Sequence, residues 1–268
     1  MRRPKMMTVP AFRARKSGPP LVVLTAYDAM TAAAAEAAGV DAMLVGDSLG
    51  MVEMGHDTTL PVTMEDMLHH AKAVGRRRRE ALLIADMPWL SFHTGPYDAV
   101  KNAARFVREA GADAVKLEGG KKRLEAILAI LDAEIPVMGH LGLTPQSVLA
   151  MGGYKVQGKA KDAADALVDD ARALAEAGVF SIVLEGVPSA VAQRITEAVP
   201  VPTIGIGAGA ACDGQVLVIH DLLGMLPGDV PKFVRRYADL HGAAAEAIRR
   251  WAADVQNRTF PSNDETYG

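Results

Sequence analysis

"EAAGVDAMLVGD", residues 36–47, passes from an alanine-rich stretch through a glycine into a short apolar run that ends in an acid. The pattern returns as "EAGADAVKLE" at 109–118 and "EAGVFSIVLE" at 176–185. Each copy reads as a helix end, a glycine turn and a buried strand, since the runs are too apolar for a strand with one wet face. Helices feeding buried strands in succession imply right-handed βαβ crossovers and a parallel sheet. The acids that close the copies, Asp47, Glu118 and Glu185, need their own explanation.

Working outward, five more runs have the length and β-branched bias of buried parallel strands. They are "LVVLTAY" from 21, "LLIADMP" from 82, "PVMGHLG" from 136, "PTIGIGAG" from 202 and "QVLVIHD" from 215. Helical periodicity separates most of them: Val100, Ala103, Ala104 and Val107, then Leu124, Ile127, Leu128 and Leu131, recur at i, i+3, i+4, i+7. Pro96 suits the start of the first of these helices, and Gly178 caps a helix over 161–177. Helical signal is weakest before residue 160 and between the last two strands. Eight strand–helix units predict a single (β/α)8 TIM barrel with parallel strands; no early G-x-G-x-x-G supports an open dinucleotide-binding sheet. The whole chain, 1–268, is expected to be one barrel domain with a short basic N-terminal segment. Residues after 230 are expected to form the last helix and an extension, and "PSNDETYG" a loose tail.

Half of the 268 residues are hydrophobic, enough for a large core, and the net charge of −3 gives no reason to expect nucleic acid or an anionic membrane as partner. No apolar run reaches the roughly 20 residues that span a bilayer. The first 16 residues hold six Lys or Arg and no acid, but lack the apolar stretch of a secretory signal, and Pro4 and Pro10 oppose an amphipathic helix. The single cysteine, Cys212, fits a reducing cytosol. "RRRRE" at 76–80 reads as a solvated helix end.

Polar residues gather at the C-terminal strand ends: Asp47 after the second strand, Asp86 after the third, Lys116 and Glu118 in the fourth, His140 in the fifth, Glu185 in the sixth. In a barrel these ends share one mouth, where barrel enzymes place their active sites. Taken singly, Asp47 reads equally well as a helix cap, Asp86 as a turn acid before proline, His140 as a core histidine. Together, four acids in one mouth repel one another unless a cation joins them. An oxygen donor set with no cysteine favours Mg²⁺ over zinc. "IGIGAG" at 204–209 raises a second possibility, a glycine-rich cradle for a substrate phosphate. His220, Asp221, His69 and His70 receive no role.

The chain resembles the ketopantoate hydroxymethyltransferase family over nearly its whole length. The resemblance is carried in order by "TVPAFRARK", "LTAYDA", "VGDSLGMV", "TTLPVTMEDM", "DMP", "VKLEGG", "GHLGLTPQS", "GGYKVQGK", "LEGVP", "IGIGAG", "DGQVLV" and "FPSNDETYG". It implies a Mg²⁺-dependent transfer of a one-carbon unit from 5,10-methylenetetrahydrofolate to 3-methyl-2-oxobutanoate, giving 2-dehydropantoate on the route to pantothenate and coenzyme A. By the same resemblance Asp47 and Asp86 hold the metal, with Glu118 at it through water. Ser48 and Lys116 contact the keto acid, His140 lines the pocket, and Glu185 is the general base. A cytoplasmic homodecamer is also implied. Two departures stand out: "WLSFHTG" follows "DMP" where something closer to "FGSYQ" is expected, and "LEGVP" has glycine where cysteine is usual. The first places in doubt the loop near the folate or keto acid. The rival readings are a Mg²⁺-dependent lyase or mutase of a phosphoenolpyruvate-like compound, with phosphate at "IGIGAG", and a non-catalytic barrel scaffold.

Overall fold

Gly39, Gly111 and Gly178, the glycines of the repeated pattern, have φ of 72°, 68° and 103°. A side chain there would be strained, and the turn that each makes aims the chain from a helix end into a strand. The structure is a computed structural model that describes residues 6–267. The described residues form eight strands: β1 (Leu21–Thr25), β2 (Ala42–Val45), β3 (Leu82–Asp86), β4 (Ala114–Glu118), β5 (Val137–Gly142), β6 (Ser181–Glu185), β7 (Thr203–Ile206) and β8 (Gly214–Leu217). Each pairs parallel with the next and β8 returns to β1, closing the barrel. All eight strands expected from the sequence are present and start within one residue of the runs read there, although β7 and β8 stop at Ile206 and Leu217, before their runs end.

Helices in chain order are α1 (Val9–Arg13), α2 (Ala29–Ala38), α3 (Leu49–Val52), α4 (Met64–Gly75), α5 (Pro96–Arg105), α6 (Leu124–Asp132), α7 (Val148–Met151), α8 (Lys161–Ala177), α9 (Ser189–Ala198), α10 (Ile219–Leu223) and α11 (Leu240–Gln256). Local chemistry sets their starts. Asp28 with Thr31 and Thr63 with Asp66 form capping boxes at α2 and α4, each satisfying N–H groups that a helix start leaves open. Among the described residues no helix is long and apolar enough to cross a membrane.

Strand side chains alternate, so every second residue points into the barrel. Leu21 and Val23, Ala42 and Leu44, Leu82 and Ile84, with Ala114, Met138, Val183, Ile204 and Val216, form one buried cluster. Phe12 of α1 joins it and meets Phe180 edge-on, ring centroids 5.7 Å apart, at the end where the strands begin. Burial of such a ring is worth roughly 1.5–3 kcal/mol. Continuing the same alternation toward the strand ends reaches Thr25, Gly46, Asp86, Lys116, Glu118, His140, Glu185, Ile206 and Val218. The inward stripe thus turns polar within one residue step on β3, β4, β5 and β6.

Four expectations change. Residues 207–213 join β7 to β8 without a helix; the segment is too short for one, and Asp213 ties it to the strands by accepting from Thr203 N and Ser17 N at 2.9 Å. Pro10 does not prevent helix, since it lies in the first turn of α1, where its missing N–H costs nothing; residues 1–5 of the basic segment lie outside the described residues. The C-terminal helix starts at Leu240, not near 230, because Asp239 caps it by accepting from Gly242 N. Finally, the tail makes a short 3₁₀ turn over Asn263–Glu265 under a Ser262 capping box. The chain divides into two compact units, one through Val218 that holds the whole barrel and one from Ile219. In the second, α11 buries no residue, and Ile248, Trp251 and Val255 form an exposed apolar stripe.

Candidate active site

The barrel mouth holds a cavity of about 90 Å³, room for several waters or one small acid. Its lining includes Asp47, Ser48, Asp86, Lys116, Glu118, His140 and Glu185. All seven residues singled out in the sequence therefore meet in one place. Of the ionisable ones, only Glu185 keeps appreciable access to solvent, with 19 % of its side chain exposed against 3–4 % for Asp86, Lys116, Glu118 and His140.

Lys116 is the pivot. Its Nζ lies 2.8 Å from Asp86 Oδ1 and 3.2 Å from His140 Nδ1. Burial alone would lower its pKa, but Asp86, Glu118 and Asp47 outweigh burial and hold it above the ordinary lysine range. The ammonium only donates, so His140 Nδ1 must accept and the ring proton sits on Nε2. Burial, followed by the Lys116 charge, pushes the His140 pKa down, so the ring is neutral near pH 7. Its Nε2–H faces Glu185 Oε2 at 3.3 Å, at an angle too poor for a good hydrogen bond.

One cation does not balance this mouth. Burial, then the charge of Asp86, raises the Asp47 pKa to about 7. Burial, then Asp47, raises Glu118 well above the usual carboxylate range. Asp86 Oδ1, despite its ion pair, and Glu118 Oε1 are both buried without an aligned hydrogen-bond donor. Oxygen acceptors left short of donors in an acidic pocket fit a hard divalent cation, which Asp47, Asp86 and Glu118 would hold directly or through water. Among the described residues no group of three or more Asp, Glu, His or Cys side chains is arranged to hold a metal ion as it stands. Fewer than three of these acids would therefore bind the ion directly, and water or a bound ligand would complete its shell.

The helix-cap reading of Asp47 fails: Ser48, not Asp47, is the N-cap of α3, and it makes no side-chain cap bond. Ser48 Oγ instead lies 2.8 Å from Tyr27 Oη. Asp47 Oδ2 accepts from Gln146 Nε2 at 2.8 Å, the contact that opposes its raised pKa most among hydrogen bonds. Gln146 was not singled out in the sequence. Its Nε2 also donates to Met87 O at 2.9 Å and its backbone N to Glu118 Oε2 at 3.0 Å, so one residue ties three strand ends. A polar side chain in "LTPQS" directly after His140's strand was the available signal. Gln146→Leu is expected to lose about 1.5–3 kcal/mol in a denaturant titration, because it strands a carboxylate and a carbonyl together. The "IGIGAG" turn is followed by no helix, so no helix N-terminus stands there to take a phosphate. A Cβ on Gly209 would lie 2.6 Å from Ser189 Cβ, which makes this turn a close-packing device against α9.

A parallel eight-stranded barrel with acids, a lysine and a histidine buried together at the C-terminal strand ends has the architecture in which barrel enzymes place their active sites. The chain belongs to the ketopantoate hydroxymethyltransferase family, whose sequence model matches residues 6–263. It is 55 % identical over 253 residues to the 3-methyl-2-oxobutanoate hydroxymethyltransferase of Carboxydothermus hydrogenoformans, covering 94 % of this chain and 92 % of that one. The enzyme of the same name from Trichlorobacter lovleyi is 53 % identical over 264 residues, 98 % and 99 % of the two chains. Solved structures share the fold at low identity. A phosphoenolpyruvate phosphomutase from Streptomyces platensis subsp. rosaceus aligns with TM-score 0.63 at 16 % identity, over 97 % of this chain and 92 % of that one. A phosphonopyruvate hydrolase crystallised with oxalate and Mg++ aligns with TM-score 0.61 at 16 % identity, over 97 % and 93 %.

Proposed function

We propose that the chain transfers a hydroxymethyl group from 5,10-methylenetetrahydrofolate to 3-methyl-2-oxobutanoate, giving 2-dehydropantoate for pantothenate and coenzyme A synthesis. The observation that carries the mechanism is the pairing of Asp47, Asp86, Glu118 and Lys116 in one buried mouth beside the more accessible Glu185. In this reading Glu185 removes the C3 proton of the keto acid, and the electron pair of that C–H bond becomes an enolate. Lys116 and the neutral His140 keep the pocket's charge compatible with the developing anion, and His140 Nε2–H faces the Glu185 carboxylate. The enolate carbon bonds to the folate's methylene carbon as one of that carbon's two carbon–nitrogen bonds opens, the freed nitrogen keeping the electron pair and taking a proton. Water then displaces the second nitrogen, which leaves the hydroxyl on the transferred carbon and releases tetrahydrofolate. A Mg²⁺ at Asp47, Asp86 and Glu118, when bound, supplies Lewis-acid stabilisation worth several kcal/mol to such a reaction. Ser48 borders the same cavity and is assigned to the keto acid.

The exposed stripe on α11 supports assembly into a homo-oligomer, a decamer by resemblance, and the cytoplasm is the compartment that the pathway and the free Cys212 favour. The phosphosubstrate rival shares the barrel, but its representatives match at 16 % identity against 53–55 % for the hydroxymethyltransferases cited. Competition of phosphonate analogues with the keto acid would favour that rival. Release of tetrahydrofolate on mixing the chain with Mg²⁺, keto acid and methylenetetrahydrofolate tests the proposal directly; no release with an intact fold would sink it.

Acid linkage gives a test that needs no turnover. Asp47 has a folded pKa near 7 against an unfolded value of 3.8, so the folded state holds its proton more tightly. Stability then falls as pH rises through that interval, and Glu118 adds slope of the same sign. His140, lowered from 6.5, works the other way but only below that value. Between pH 6.5 and 8 the metal-free protein should therefore lose about 1 kcal/mol from Asp47 alone. Mg²⁺ should raise the melting temperature more at pH 8 than at 6.5, and Asp47→Asn should remove most of that gain. An equal Mg²⁺ effect in wild type and variant would remove Asp47 from the metal site.

A further inference from the structure

The loops that follow β3 and β4 enclose a second cavity of about 70 Å³, bordered by His93, Lys122 and Arg123. Phe92, His93 and Gly95 of the "WLSFHTG" stretch form one side of it. His93 Nδ1 and Arg123 Nε are both shielded from solvent and without a hydrogen-bond partner. Buried polar nitrogens left unpartnered in this way are rare unless something absent from the bare chain satisfies them. Among the described residues Arg123 has no carboxylate partner; its guanidinium lies over the Phe92 ring, 5.8 Å from the centroid. The helices α5 and α6 also begin here, through Gly95 and Arg123, and neither has a side-chain cap. Against these stands one acid, the exposed Glu125. Burial, then the charges of Arg123 and Lys122, drives the His93 pKa down to about 4, so the ring is neutral near pH 7.

Position gives the cavity its meaning. Gly119 directly follows Glu118, and its φ of 116° leaves room for Arg123: a Cβ there would come within 2.8 Å of Arg123 Cγ. Lys122 also borders a groove of about 260 Å³ that passes Gly119, Gly120, Leu141 and Gly142. Gly119 and Leu141 each follow a mouth residue, Glu118 and His140. Strand alternation turns Leu141 away from the barrel interior that His140 faces, so the groove lies outside the barrel wall and meets the cationic cavity at Lys122.

We propose that His93, Lys122 and Arg123, on the loops that leave β3 and β4 at the mouth end of the barrel, form an anion pocket, which takes a carboxylate or phosphate. Under the folate reading, on which this assignment of the source rests, the anion is the glutamyl carboxylate of the co-substrate. A free inorganic anion is the other source of the same chemistry. The pocket itself does not depend on the folate reading.

The test uses the full-length K122Q/R123Q variant, whose changes lie outside the catalytic mouth. Its KM for 5,10-methylenetetrahydrofolate should rise about tenfold, with kcat within twofold and keto-acid C3 proton exchange unchanged. The same co-substrate with its glutamate carboxylates esterified should not distinguish variant from wild type. In parallel, inorganic phosphate titrated into the wild type should shift the His93 imidazole NMR signals, and the variant should not respond. Phosphate binding lost in the variant with an unchanged folate KM keeps the pocket and assigns it to a free anion. An unchanged KM with no phosphate response in the wild type overturns the proposal. If the wild type exchanges the C3 proton yet never turns over folate, the proposed function fails, and the phosphate titration alone decides the pocket.

Discussion

Glu185→Gln is expected to abolish turnover, by roughly 10²–10⁴-fold, while leaving the fold, divalent-cation binding and keto-acid affinity near wild type. Geometry explains why the loss should be confined to chemistry. Glu185 stands at the end of β6, in register with Gly142 of β5, and its carboxylate is the most accessible acid of the mouth. Its near neighbour is His140 Nε2 at 3.3 Å, which carries the ring proton because Lys116 occupies Nδ1. A glutamine keeps an oxygen that faces this N–H, so the pocket's shape persists and only the base is lost. The sharpest readout is exchange of the C3 proton of 3-methyl-2-oxobutanoate into deuterated water, with divalent cation and no folate. Wild type should exchange and the variant should not. Near-normal exchange in the variant would remove Glu185 from the proton-transfer step, whatever happened to overall turnover.

Most of this site is visible in the sequence because strand alternation is rigid. Once Ile84, Ala114, Met138 and Val183 are placed in the barrel interior, a step of two residues puts Asp86, Lys116, His140 and Glu185 at the mouth. The barrel follows from the same regularity, since the repeated helix–glycine–strand unit leaves few topologies open. What escaped lies where no period operates. Gln146 sits on a 3₁₀ turn over Pro145–Ser147, and its link to Asp47 spans 99 residues of sequence. The β7–β8 connection lacks a helix because Asp213 and tight glycines fasten it, a tertiary matter that local propensity does not record. The start of α11 depended on one cap, Asp239, in a stretch whose composition reads as helical well before it. The anion pocket draws His93 and Arg123 from different loops, and only their unpartnered nitrogens mark it.

Lys116→Met should be the most destabilising single change in the barrel, by about 3–5 kcal/mol at pH 8, because it removes the cation from a buried ionic cluster and leaves the acids behind. Methionine fills nearly the same volume, so the cost is electrostatic rather than a cavity. Asp86 loses its partner at 2.8 Å, and the charge that opposes the raised pKa values of Asp47 and Glu118 disappears. Those carboxyls should then bind protons still more tightly in the folded state than in the unfolded one. Stability of the variant must therefore decline with rising pH more steeply than wild type, and the gap between them should narrow toward pH 6 as the acids become neutral. Denaturant titrations at pH 6 and 8 measure both quantities. A divalent cation should partly replace the missing ammonium, so Mg²⁺ should raise the melting temperature of the variant more than that of wild type. A loss of stability that is the same at both pH values, with no added response to Mg²⁺, would mean that Lys116 contributes packing and not charge. His140 adds a second signature: without the ammonium its Nδ1 is free to take the proton, and its pKa should rise toward the ordinary range. That rise, followed by NMR titration of the ring, separates loss of a neighbouring charge from a general loosening of the mouth.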